Sequence, residues 1–139
     1  MIGLDINNAL RLLIIVVGLG WAIYEIVQFV RRRKAATPLT NEEFKEDIRK
    51  AQVIDVREKD EFKRKHILGA RSLPYSQFKQ RMNELRKDQP IYLYEENKML
   101  SLRAGLKLKE NGFEDIYYLK DGFSNWDGRT KSDKLDKLV

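Results

Sequence analysis

The stretch PIYLYEENKMLSLRAG, Pro90 to Gly105, has the build of an approach to an enzyme's active site. Four β-forming residues, Ile91 to Tyr94, run into a polar loop of six, Glu95 to Leu100, and a helical pattern starts at Ser101. A strand feeding a tight loop and a helix N-terminus gathers unpaired backbone N–H groups, which suits an anion. Yet the loop opens with Glu95, itself an anion, followed by Glu96, Asn97 and Lys98. The 139 residues include no cysteine, which excludes thiol nucleophiles, thiolate metal sites and disulfides together. His66 is the only histidine, and no loop spaces carboxylates for an all-oxygen site, so neither a metal nor a cofactor is expected.

The elements that must position this loop can be read from periodicity and capping. Thr40 to Lys50 opens with a capping box, Thr40 with Glu43, and carries Phe44 and Ile48 at i, i+4. Val53 to Val56 is an apolar strand, and DEFKRK (residues 60–65) a short helix. HILGARSLP contains a brief strand ending at Pro74. Ser76 to Lys87 reads as one amphipathic helix with Phe78, Met82 and Leu85 on one side. Ser101 to Glu110 is a helix stopped by Asn111–Gly112, Ile116–Leu119 a strand, and Gly122–Trp126 a last helical turn. Short apolar strands alternating with helices mean an α/β fold, a parallel sheet flanked by helices, with its crevice beyond the carboxyl ends of the strands. Glu95 to Leu100 sits at such an end.

Ahead of this domain, residues 12–30 read LLIIVVGLGWAIYEIVQFV. Nineteen helical residues span about 28 Å, close to the ~30 Å hydrocarbon core of a bilayer. Glu25 and Gln28 oppose insertion but lie near one end, where snorkelling lowers the cost; pairing with another helix is the second reading of Glu25. The first dozen residues of the run are apolar all round, unlike a surface helix, and the basic cluster follows the apolar run rather than preceding it, unlike a signal peptide. Arg31, Arg32, Arg33 and Lys34 form a basic collar at the membrane interface, predicting an N-terminus outside and a cytoplasmic domain. The net charge of +6 comes from this collar and the tail, since residues 35–128 hold 18 basic and 17 acidic side chains. A nearly neutral domain argues against nucleic acid and for a lipid bilayer contact at one end. The expected organisation is an anchor (1–34), a domain (35–128) entered through a linker at Ala35–Pro38, and a flexible basic tail (129–139).

VIDVREKDEFKRKHILGARSLP resembles the first half of the rhodanese homology domain, with its Asp55–Arg57 triplet, Glu61–Phe62 pair and His66–Ala70 signature. NGFEDIYYLKDGFSNW resembles the closing segment, with Gly112, Phe113, Leu119, Gly122 and Trp126 in place. The resemblance covers about Thr40 to Gly128 and extends to single-domain bacterial members carrying an N-terminal membrane helix. It implies that Glu95 stands where active members place the persulfide cysteine, and that Glu95, Glu96, Asn97, Lys98, Met99 and Leu100, with Ser101, form a vestigial active-site loop. Glu96 and Leu100 replace frequent basic residues, and Lys98 a frequent glycine. Asp55 and Arg57 are expected to brace the loop, His66 to hydrogen-bond structurally or titrate, and Arg103 to contact a ligand or face solvent.

Two placements of Glu95 stay open: its carboxylate fills the cradle, with a lowered pKa, or points to solvent. Met99 and Leu100 either tuck inward or form a contact surface. Persulfide chemistry needs a thiol, so the expected function is a membrane-anchored, non-catalytic module that binds or regulates a protein partner. A membrane-associated assembly protein is the alternative, and an enzyme using Glu95 as nucleophile or base a third class.

Overall fold

Valine, isoleucine, leucine and tyrosine fill the strand runs, and their alternation decides which layer each side chain enters. The computed structural model describes residues 5–133. Five strands, β1 (Thr37–Leu39), β2 (Gln52–Asp55), β4 (Arg71–Ser72), β5 (Ile91–Tyr94) and β6 (Ile116–Leu119), form one parallel sheet in the order β1-β6-β5-β2-β4. Both faces are covered. Ile54, Ile91, Leu93, Ile116 and Tyr118 point into one apolar cluster, while Val53, Tyr92, Tyr94 and Leu119 point into the other. That two-residue alternation with both sets buried is what a sheet between two layers requires.

The first cluster is closed by α4 (Phe78–Arg81) and α5 (Met99–Glu110), through Phe78, Leu102, Ala104 and Leu108. The second is closed by α2 (Asn41–Glu46), whose Phe44 lies 4.9 Å from the Tyr92 ring and 5.4 Å from Trp126. The Thr40–Glu43 capping box forms as expected. After β2 the chain passes α3 (Lys59–Arg64) and reaches β4 on one side, then returns to lay β5 on the other side of β2. The order reverses between β2 and β5, and in open α/β sheets ligands bind beyond the carboxyl ends at that switch point.

Several elements differ from the sequence reading. The expected linker at Ala35–Pro38 is instead taken up by regular elements: Ala35 ends a long helix, and Thr37 and Pro38 open β1, hydrogen-bonded along β6 with Pro38 opposite Tyr118. A proline is tolerated there because β1 is an edge strand. The expected helix over 76–87 is α4 flanked by 3-10 turns at Tyr75–Gln77 and Met82–Glu84, which still bury Phe78, Met82 and Leu85. The brief strand before Pro74 is two: β3 (His66–Ile67) and β4. β3 pairs antiparallel with β7 (Thr130–Lys131), inside what reads from sequence as a flexible tail. The rest of that tail, 134–139, lies outside the described residues. Helix α5 starts at Met99, two residues early, shortening the loop after β5 to 95–98.

The described residues divide into two units, one up to Arg31 and one from Arg32 onward. The first is the greater part of α1 (Ile6–Ala35), a continuous helix long and apolar enough to cross a membrane. Its large apolar side chains from Leu12 to Val30 are exposed, and Arg32, Arg33 and Lys34 fall in its last turn.

Candidate functional site

Because the strands are parallel, the segments leaving β2, β5 and β6 converge at one edge. Glu95, the first residue past β5, turns inward and is 5% exposed. Its Oε1 accepts the Leu100 N–H in a short contact and the Ser101 N–H at 3.3 Å, the first-turn donors of α5. The carboxylate therefore fills the cradle, not solvent. Asn97 Oδ1 accepts the Lys98 and Met99 N–H groups at 2.6 and 3.1 Å, so most early donors of α5 are taken by loop side chains.

The expected lowering of the Glu95 pKa is overturned. Burial pushes the carboxylate above its ordinary value and outweighs the Leu100 and Ser101 donors; the charge of Glu96 adds to the rise and that of Arg103 subtracts. The side chain pays more for leaving water than two backbone donors return.

Arg57 ties the switch point together. Its Nε and Nη2 meet the fully buried Asp55 carboxylate at 2.7–3.1 Å, Nη2 also donates to Lys65 O at 2.6 Å, and Nη1 donates to Glu96 Oε1 at 2.7 Å. The guanidinium lies 4.3 Å from the Phe123 ring centroid. Burial works against this cation, but Asp55 and then Glu96 outweigh it and hold its pKa above the ordinary value. Asp55 and Arg57 thus brace the loop, and the bracing runs through Glu96.

The segment after β6 closes the loop from the other side. Gly122 has φ 79, and a Cβ there would lie 2.0 Å from Glu96 O, an approach only glycine permits. Phe123 N–H donates to Glu95 O at 2.7 Å, and Ser124 Oγ donates to Glu96 O or Oε2, each at 3.2 Å. Beside this closure opens a cleft of about 460 Å³ lined by Arg57, Glu61, Arg64, Lys65, Glu96, Phe123 and Trp126 among others.

The remaining sequence candidates are dispersed. His66 is buried, its Nδ1 2.7 Å from Phe62 O and its ring stacked on Phe62 at 3.8 Å, a structural arrangement. Arg103 and Lys98 are exposed. Met99 and Leu100 split, Met99 remaining 46% exposed and Leu100 packing against the core. Sequence reading missed the roles of Phe123 and Ser124, and of Tyr94, whose hydroxyl accepts the Ile67 N–H at 3.0 Å. No local signal marks them, because each acts on a residue more than 25 positions away.

A parallel sheet covered on both faces, with a strand–loop–helix cradle at its switch point, is the architecture of the rhodanese-like domain. The profile of that family, described as "Rhodanese-like domain", matches residues 40–129, and the chain belongs to it. The uncharacterized protein YqhL of Bacillus subtilis is 46% identical over 124 residues, covering 89% of this chain and 98% of that one. The thiosulfate sulfurtransferase GlpE of Pseudoalteromonas translucida is 32% identical over 93 residues, 67% of this chain and 85% of that protein. A rhodanese-related protein from Thermoplasma volcanium superposes with a TM-score of 0.64 at 20% identity, covering 68% and 97% of the two chains, a likeness of fold.

Proposed function

We propose that this chain is a membrane-anchored rhodanese-like domain that does not transfer sulfur and instead presents its former active-site loop as a fixed surface to a protein partner. The observation that carries this reading is the Glu95 carboxylate seated on the Leu100 and Ser101 N–H groups. No side chain here can form a cysteine persulfide, and the donors that would stabilise one are already occupied. Glu96 takes the outward edge of Arg57, so the buried cation at the switch point is neutralised as well. A loop pinned by Arg57, Phe123 and Ser124 can show Lys98 and Met99 to a partner without paying for ordering on binding. The basic last turn of α1 supports an N-terminus outside and a cytoplasmic domain. The similarity to YqhL runs longer than residues 40–129, which supports counting segments outside the domain as part of the shared chain.

The test has two arms. In a thiosulfate–cyanide assay the full chain should form no thiocyanate above the uncatalysed rate, whereas Glu95→Cys should gain activity; turnover by the unaltered chain would end the non-catalytic reading. In capture from native membranes, a partner should be held by the unaltered chain and by a chain lacking residues 1–34. The same partner should be lost by Lys98→Ala, Met99→Ala. Capture that survives the loop changes would remove the loop from the function.

A further inference from the structure

Helix α1 is continuous from Ile6 to Ala35, so the angular position of each side chain follows from 3.6 residues per turn. Residues 14, 18, 21, 25 and 28, separated by steps of four and three, share one stripe: Ile14, Gly18, Trp21, Glu25 and Gln28. Both the carboxylate and the amide of the 12–30 run lie on it. The opposite side, Leu12, Val16, Leu19, Ile23, Val27 and Val30, is aliphatic throughout. Midway along the stripe Gly18 has no atom within 4 Å of where a Cβ would stand. Leu13, Ile14, Val17 and Trp21 wall a hollow of about 470 Å³ around it.

We infer that α1 pairs in parallel with α1 of a second copy of this chain, through the stripe of Gly18, Trp21, Glu25 and Gln28. The inference rests on reading α1 as membrane-spanning. A repeat of 3.5 residues keeps one seam facing a partner as two helices supercoil left-handed, and the Gly18 hollow admits a side chain of the opposing helix. Within a bilayer the aliphatic side gains nothing by leaving lipid, whereas a carboxylate and an amide gain hydrogen bonds. Glu25 accepts and Gln28 donates, one turn apart on the same stripe. Two parallel copies related by a two-fold axis therefore let each Glu25 accept from Gln28 of the other, giving two equivalent bonds. A foreign helix would have to bring both groups at the same spacing; a second copy has them by construction and always inserts in the same orientation. The collars Arg31 to Lys34 of the two copies repel, and anionic headgroups at that depth offset the repulsion.

The absence of cysteine gives a clean background for the test. Full-length single-cysteine variants Ile14→Cys and Trp21→Cys report the stripe, and Val16→Cys and Ile23→Cys the opposite side. They are oxidised with copper phenanthroline in phosphatidylcholine–phosphatidylglycerol vesicles. Disulfide dimers should form at 14 and 21 and be nearly absent at 16 and 23. In the Trp21→Cys reporter, Glu25→Leu with Gln28→Leu should weaken dimerisation by roughly tenfold, about threefold per interhelical hydrogen bond, while Glu25→Gln should retain it. Equal yields on both sides, or no dimer from a chain that resists carbonate extraction, would overturn the pairing. Release of the chain by carbonate would overturn the spanning reading and the pairing with it.

Discussion

Gly122 and Gly69 both have positive φ, +79 and +87, yet their surroundings differ. A Cβ at Gly69 meets nothing within 4 Å, whereas one at Gly122 would lie 2.0 Å from Glu96 O, 2.7 Å from Glu96 C and 3.1 Å from Asn97 Cα. Gly69→Ala therefore carries only the backbone penalty, about 1–2 kcal/mol. Gly122 combines φ 79 with ψ 170, a region worth about 1–3 kcal/mol of strain for any other residue. Its new methyl group must also push the 95–98 loop away from the 122–125 turn. The Phe123 N–H bond to Glu95 O and the Ser124 bond to Glu96 would go with it, at about 1 kcal/mol each. Gly122→Ala should thus cost about 3–5 kcal/mol in all, against about 1–2 for Gly69→Ala. Urea unfolding of the full chain in detergent micelles, followed by near-ultraviolet ellipticity, measures both. The centres of the two ranges differ by about 2.5 kcal/mol, so in melting experiments the pair should separate by about 10–20 °C, taking 4–8 °C per kcal/mol for a domain of this size. The Leu100 and Ser101 amide resonances should shift in Gly122→Ala and stay in place in Gly69→Ala. Costs within about 1 kcal/mol of each other, with unmoved amides, would refute the claim that the Gly122 contact holds the loop.

Three further outcomes follow from the same geometry. Burial raises the Glu95 pKa, so the folded chain holds that proton more tightly than the unfolded chain; its contribution to stability is complete below the ordinary carboxylate value and is lost as pH rises through the raised one. Glu95→Gln should therefore match the parent near pH ~4 and exceed it in stability towards pH ~7; the opposite trend would mean that the donors outweigh burial. Arg57→Met strands the Asp55 carboxylate, which is fully buried, and should cost about 3–5 kcal/mol in urea unfolding, part of it recovered by adding Asp55→Asn. Tyr94→Phe leaves the Ile67 N–H without its acceptor at a fully buried position and should cost about 1–3 kcal/mol, with faster exchange of that amide in hydrogen-exchange NMR.

Sequence alone determined what near neighbours along the chain decide. The short apolar runs Val53–Val56, Ile91–Tyr94 and Ile116–Leu119, alternating with helical stretches, set the buried parallel sheet, Thr40 and Glu43 set the start of α2, and residues 12–30 set an apolar helix. The missing cysteine needed only a count. Tertiary structure decided the rest. β1 and β7 are three and two residues long, too short for any pattern, and exist because β6 and β3 offer them hydrogen-bonding edges. The bonds from Arg57 to Glu96 and from Ser124 to Glu96 span 39 and 28 positions, distances over which local preference carries no information. The direction of the Glu95 pKa also belonged to the fold. Helix N-terminal donors can be inferred from a strand–loop–helix pattern, but the water excluded around a carboxylate depends on every segment packed against it, and here exclusion outweighs the donors.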